Sequence, residues 1–300
     1  MKRRIVLLLA CIALIAAVSS CKTMRAVEPA NPVKAPALGV EDAKVEPVKF
    51  KGVTAILGAF RAEVTLLQDE LIDRQEHIIE GIKFAAGKLN GRDAVVVWTG
   101  VGKVNAAMTT TLLIEHFKPR EIIFTGIAGG VDPELYPGDI VIAEKTAHHD
   151  MGTVWPEGLF FKGVKNPLTN LENPVFFRAD ERLLKLAERA AGKAGLMKIE
   201  TVDGPREPKI LRGVVVTGDV FVASEKKRRE LRKRLDADAV EMEGAAVAQI
   251  CYQRKIPHVV IRSISDKADA GAVVDKQMFY ILASQNSSSL VSEMMLLAGS

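Results

Sequence analysis

Four acidic residues of this 300-residue chain stand where a carboxylate could do chemistry. Glu241-Met242-Glu243 follows Ala239-Val240 inside an apolar stretch that continues to Ile250, and a carboxylate in such surroundings loses its hydration unless it binds a partner. Asp266 closes Arg262-Ser263-Ile264-Ser265-Asp266, at the end of an apolar run that begins at His258. Glu63 lies in Gly58-Ala59-Phe60-Arg61-Ala62-Glu63-Val64, where a first strand turns into a first helix; a first-turn acid there also suits the helix dipole. Carboxyl groups so placed are candidates for acid–base work. Two glycine-bearing loops accompany them, Thr99-Gly100-Val101-Gly102-Lys103-Val104-Asn105 and Thr125-Gly126-Ile127-Ala128-Gly129-Gly130, and such glycines let the backbone come close to a ligand. Gly102-Lys103 is not a Walker motif, because Val97 occupies the required first glycine and Val104 follows the lysine. His148-His149-Asp150 invites a metal reading, but consecutive strand residues point to opposite faces. We assign neither metal nor cofactor.

The elements that must position these groups alternate regularly. Short β-branched runs at residues 53–57, 94–98, 121–125, 139–143, 214–217 and 258–262 predict buried strands. Amphipathic stretches at 104–117, 179–194, 225–235, 243–254 and 277–297 predict helices. Such alternation implies one α/β domain, three layers deep, with helices on both faces of a central twisted, mixed sheet. In that architecture ligands bind at the carboxyl ends of strands, where the unusual residues fall. Residues 151–178 are the least periodic part, suited to a lid or an interface loop. Cys251 reads as a packed core thiol, and the last helix as core packing.

Taken together, the motifs resemble the 5′-methylthioadenosine/S-adenosylhomocysteine nucleosidases of the nucleoside phosphorylase superfamily. The resemblance covers roughly residues 53–150 and 213–280. It rests on Gly58-Ala59 with Glu63-Val64-Thr65-Leu66-Leu67, Gly100-x-Gly102-Lys103-Val104, Thr125-Gly126-x-Ala128-Gly129-Gly130 and Gly138-Asp139-Ile140-Val141. Gly218-Asp219-x-Phe221, Val240-Glu241-Met242-Glu243 and Arg262-x-Ile264-Ser265-Asp266 complete it. The resemblance implies hydrolysis of the N-glycosidic bond of methylthioadenosine, S-adenosylhomocysteine or 5′-deoxyadenosine, releasing adenine. By similarity, Asp266 is the general acid at purine N7 and Glu63 the general base for water. Glu241, Met242 and Glu243 would bind the substrate, Glu243 holding the ribose hydroxyls and Met242 packing on the sugar. Phe221 would stack on adenine while the Val222 backbone reads its edge; Ser265 and Arg262 would support the Asp266 loop, and Ala128 and Gly129 would line the pocket. A homodimer is also implied. Two departures stand out: Ile127 occupies a position that often carries a small or hydroxyl residue, and Arg61-Ala62 replaces acids often found beside the glutamate.

Composition bounds the alternatives. The chain is 48% hydrophobic and 26% charged, with 23 Gly and 13 Pro, which excludes collagen-like and disordered classes. The net charge is +4, yet Lys2, Arg3 and Arg4 account for most of it and the body from residue 51 is neutral. A general nucleic-acid binder is therefore not expected. That basic start precedes an apolar stretch from Ile5 to Val18, too short to span a bilayer, and reads as an export signal. Val18-Ser19-Ser20-Cys21 resembles a bacterial lipobox, so the expected organisation is a signal peptide (1–20), a Pro-containing tether (21–50) and a nucleosidase domain (51–300), anchored to a membrane by lipid at Cys21 on the periplasmic or cell-surface side.

Two other functions fit the same residues. A purine nucleoside phosphorylase would use phosphate in place of water, although Glu63 would repel that dianion. A surface lipoprotein binding nucleosides or polyanions would use the run Lys226 to Arg234, seven bases in nine residues; the plainer reading is a solvated helix face.

Overall fold

In the computed structural model the description covers residues 52–201 and 204–299, all within the unit Val45–Ser300. The expected signal segment, the tether and Cys21 lie outside the described residues. Strand β1 (Thr54–Gly58) shows how the sequence builds the layers. Its side chains alternate, as a pleated strand requires: Ala55 and Leu57 enter one core, Ile56 the other. Strand β4 (Arg92–Trp98) divides in the same way, Val95 and Val97 against Ala94 and Val96. Runs that are apolar on both faces are what a sheet covered on both sides demands.

Helices α1 (Ala62–Asp69), α3 (Glu181–Ala191) and α6 (Ala272–Leu297) supply one covering layer; Val64, Leu67, Leu184, Leu290 and Met294 are its buried side chains. Helices α2 (Lys103–Phe117) and α5 (Gly244–Arg254) supply the other, through Leu113, Phe117, Val247 and Cys251. A further helix, α4 (Glu225–Leu235), buries only Leu231 and Leu235. The three-layer α/β/α architecture is as the sequence implies. Cys251 is fully buried, as expected, and burial pushes its thiol up, out of the reactive range.

The main sheet also contains β2 (Ile72–Ile79), β3 (Ile82–Leu89), β5 (Glu121–Gly130) and β6 (Ile140–His148). After the short hairpin β7–β8 (Gly152–Trp155, Gly158–Phe161) come β9 (Phe176–Arg178), β10 (Ile199–Thr201) and β11 (Gly204–Arg206). The last strands are β12 (Ile210–Thr217), β13 (Ala239–Glu241) and β14 (His258–Asp266). The order across the sheet is β13-β12-β6-β14-β5-β1-β4-β3-β2. Strands β1, β4, β5 and β14 run parallel, whereas β14 and β6 are antiparallel, so the sheet is mixed.

One feature exceeds the sequence expectation. Strand β13 pairs in parallel with β12 and also antiparallel with the end of β5, Ala239 opposite Gly130 and Val240 opposite Gly129. Half of the sheet thus closes on itself into a small barrel. Closure brings the Glu241–Glu243 segment against the glycine loop that ends β5, although the two lie more than a hundred residues apart.

Candidate active site

The site lies where the carboxyl ends of β1, β5, β13 and β14 meet. Glu63, in the first turn of α1, is almost wholly buried. Its Oε2 accepts hydrogen bonds from the backbone N–H of Ala59 (2.6 Å) and Phe60 (2.9 Å), and its Oε1 accepts one from Ile127 (2.9 Å). Burial raises its pKa against the pull of Arg262 and those three N–H groups. Gly126 is a glycine for contact reasons: a Cβ there would stand 2.6 Å from Glu63 Oε1 and 2.8 Å from Arg262 Nη1.

Asp266 ends β14 next to an irregularity. Ile264 pairs with Ala128 and Asp266 with Gly129, leaving Ser265 as the extra residue. A bulge of this kind re-aims the side chain beside it. Asp266 Oδ1 accepts from the Ala268 N–H (2.9 Å) and Oδ2 from the Ser265 hydroxyl (2.8 Å). The group is 1% exposed, and burial raises its pKa; the Ala268 N–H, Ser265 and Lys276 oppose the shift. Gly129 is small because a Cβ would meet Asp266 Oδ1 at 2.8 Å.

The Glu241-Met242-Glu243 segment divides into two tasks. Glu241 is a structural anchor: its Oε2 accepts from Arg262 Nη2 (2.7 Å) and from the N–H groups of Glu243 (3.1 Å) and Gly244 (2.7 Å), and its Oε1 accepts from the Thr217 hydroxyl. Arg262, expected beside Asp266, turns instead to Glu241 and lies over the Phe124 ring, 4.2 Å from its centroid. Only Ser265 of the two bonds Asp266. Glu243 points the other way, its Oε1 accepting from the Gly102 N–H (2.7 Å). Burial and the neighbouring Glu241 push its pKa up to about 8.

These groups border one chamber. Ala128, Gly129, Phe221, Glu241, Met242, Glu243, Ser265 and Asp266 all line it, as the sequence implies, together with Phe60, Val101, Ile127, Val240 and Lys276. Glu63 sits just behind the wall, held by the N–H groups of Phe60 and Ile127. Val222 and Arg262 are buried outside the lining.

The family model of the phosphorylase superfamily matches residues 53–295. A curated 5′-methylthioadenosine/S-adenosylhomocysteine nucleosidase from Geobacillus sp. (strain WCH70) is 36% identical over 238 residues, covering 79% of this chain and 95% of the relative. The chain belongs to the 5′-methylthioadenosine/S-adenosylhomocysteine nucleosidase family. Solved structures agree. The nucleosidase from Neisseria meningitidis in complex with methylthio-immucillin-A superposes with a TM-score of 0.71 at 33% identity, covering 82% of this chain and 99% of that one. The futalosine hydrolase of Helicobacter pylori superposes with a TM-score of 0.69 at 30% identity, covering 81% and 97%.

The comparisons correct the expected location. The nucleosidases match over 95–97% of their own length, and the family model begins only at residue 53. The family to which the chain belongs is thus built from the domain alone, with no counterpart of the segment on which export and lipid anchorage at Cys21 were inferred. Among the described residues no helix is long and apolar enough to cross a membrane. The membrane placement is withdrawn.

Sequence reasoning missed a clamp at the rim of this nucleosidase site. Lys103 Nζ pairs with Asp150 Oδ1 (2.7 Å), Asp219 Oδ1 accepts from the Lys103 N–H (2.8 Å), and Asp150 Oδ2 accepts from the Asp219 N–H (2.9 Å). Lys103 and Asp219 stood in the family motifs, but nothing in the sequence joined them to Asp150. His148 meanwhile bonds Gln249 (3.0 Å).

Proposed function

We propose that this chain hydrolyses the N-ribosyl bond of 5′-methylthioadenosine, S-adenosylhomocysteine and related 5′-substituted adenosines, within a catalytic domain spanning residues 51–300. The bond between purine N9 and ribose C1′ breaks, and its electron pair passes into the base. Asp266 places a proton on N7, which neutralises the leaving purine. Water attacks C1′ and gives a proton to Glu63. Glu243, its pKa raised by burial and by Glu241, receives the ribose hydroxyls through hydrogen bonds that strengthen in the transition state. Met242 packs on the sugar, Phe221 stacks on the base, and the Val222 backbone reads the base edge.

The observation that carries this reading is the convergence of two buried carboxyls on one short segment. Glu63 bonds the N–H of Ile127, while Asp266 abuts Gly129 two residues later. Both pKa values are raised, which keeps a proton on an acid to higher pH and strengthens a base. The chamber measures about 50 Å3, and Phe60 and Phe221 border both it and the open space outside.

Water rather than phosphate is the nucleophile in this reading because Lys276 is the one cation among the described residues that line the chamber, whereas a dianion needs clustered cationic or hydroxyl groups. Adenine release from methylthioadenosine, followed with and without phosphate, tests this. The rate is expected to be the same in both, and a rate that requires phosphate overturns it. Exposed Val104 and Met108 on α2 and Val101 in the loop before it, with Trp155 and Phe160 on the β7–β8 hairpin, support a homodimer, which sedimentation at micromolar concentration checks.

A further inference from the structure

Outside the chamber lies a second cavity of about 540 Å3, bordered by Phe60, Phe221, Val273, Lys276, Gln277 and Tyr280. Phe60, Phe221 and Lys276 border both spaces, so a nucleoside whose base occupies the chamber extends its 5′-substituent toward the larger one. Lys276 is the only charged side chain among the six residues bordering the outer cavity. Its Nζ stands 4.9 Å from the Phe60 ring centroid and 5.3 Å from that of Phe221. These aromatic faces hold the ammonium without neutralising it. Lys276 is half-buried and takes part in no ion pair among the described residues, although Asp266 lies within its electrostatic reach.

Two further hydrogen-bond donors flank the lysine. Tyr280 is one turn along from Lys276, and Gln277 is three residues before Tyr280, so ammonium, amide and phenol share one cavity wall. The rest of the lining is apolar: Val273 on the same face of α6, and Phe60 and Phe221 from other segments of the chain. A cation held on aromatic faces, partly out of water, pairs more strongly with an incoming anion than a fully solvated lysine does.

We propose that Lys276 selects adenosines whose 5′-substituent ends in a carboxylate. This rests on the hydrolase reading above and names the substrate class of that same site. Carboxylate and ammonium meet in the outer cavity, while the thioether or alkyl stem crosses the apolar wall. Lys276 is a specificity-determining residue and takes no part in the proton transfers.

The test compares two probes of equal size, 5′-(2-carboxyethylthio)-5′-deoxyadenosine and its carboxamide, with methylthioadenosine as reference. The readout is the carboxylate-to-carboxamide ratio of kcat/KM within each protein. The wild-type ratio is expected to be about ten, equivalent to roughly 1.4 kcal/mol. Lys276→Gln and Lys276→Met bring it to about one, and Lys276→Arg keeps it. A wild-type ratio near one, or one unchanged in Lys276→Gln and Lys276→Met, overturns the proposal even if methylthioadenosine is cleaved well. Failure to release adenine from any of the three overturns the hydrolase reading, and this inference with it.

Discussion

Asp266 and Glu63 are both buried carboxyls, yet their partners differ in a way that separates their roles. Asp266 takes one hydroxyl and one N–H, and the Ser265 hydroxyl can rotate to accept a hydrogen bond instead of donating one. The site therefore tolerates a protonated acid or an amide. Asp266→Asn is expected to keep the fold, by circular dichroism, and to lower kcat by about 10²–10⁴-fold, the usual worth of a general acid. Glu63 has backbone donors on both oxygens, which suits the ionised form. The pH signs follow from these roles. Activity falls as rising pH strips the proton from Asp266, and falls as acid protonates Glu63. Ser265 stabilises the charged form of Asp266, so Ser265→Ala raises that pKa further. Its alkaline limb in kcat/KM moves to higher pH; an unmoved limb would refute the assignment of Asp266.

At the scale of elements, β13 and β14 are fastened by one ion pair. Arg262 is 1% exposed and Glu241 scarcely more. Removing one partner strands a charge in the core, so Arg262→Met is expected to cost about 3–5 kcal/mol in urea unfolding. Adding Glu241→Gln recovers much of that loss, because the uncompensated carboxylate is then gone. Helix α4 shows the surface counterpart, a charge run paired largely within the chain. Arg229 pairs with Glu225, Lys227 and Arg234 with Glu230, Arg232 with Asp132 and Asp238, and Arg228 with Asp269. Five of the seven bases thus pair with acids of this chain. The α4 bounds match the sequence expectation because Ser224 caps its start by accepting from the Lys227 N–H.

At the scale of the whole molecule, the site costs stability. Glu63, Asp238, Glu243 and Asp266 all have raised pKa values, mainly through burial. A group whose pKa is higher folded than unfolded binds more protons in the native state between the two values, so stability falls as pH rises through that window. For Glu243 the window runs from 4.5 to about 8. Buried His148, His149 and His258, with lowered pKa values, oppose this trend below about 6.5. In thermal unfolding Tm should therefore decline from neutral to mildly alkaline pH, and Glu243→Gln should flatten part of the decline. A slope unchanged in that variant would show that Glu243 is ionised as freely folded as unfolded.

The strands of the parallel core were legible because both of their faces are buried, which writes unbroken apolar runs such as Ala94–Trp98 into the chain. The β2–β3 hairpin escaped notice because exposed residues dominate β2, from Ile72 to Glu76, and leave no such signature. Residue types and order were enough to indicate the family, the three layers and the acids Glu63, Glu243 and Asp266. That Glu241, although it lines the chamber as Glu243 does, serves to anchor the fold was not written in Glu241-Met242-Glu243, since both glutamates sit in the same apolar stretch. That was decided by the closure of β13 onto β5 and by the direction of Arg262. Both bring together residues remote in sequence, and no local pattern records a contact whose partner lies so far along the chain.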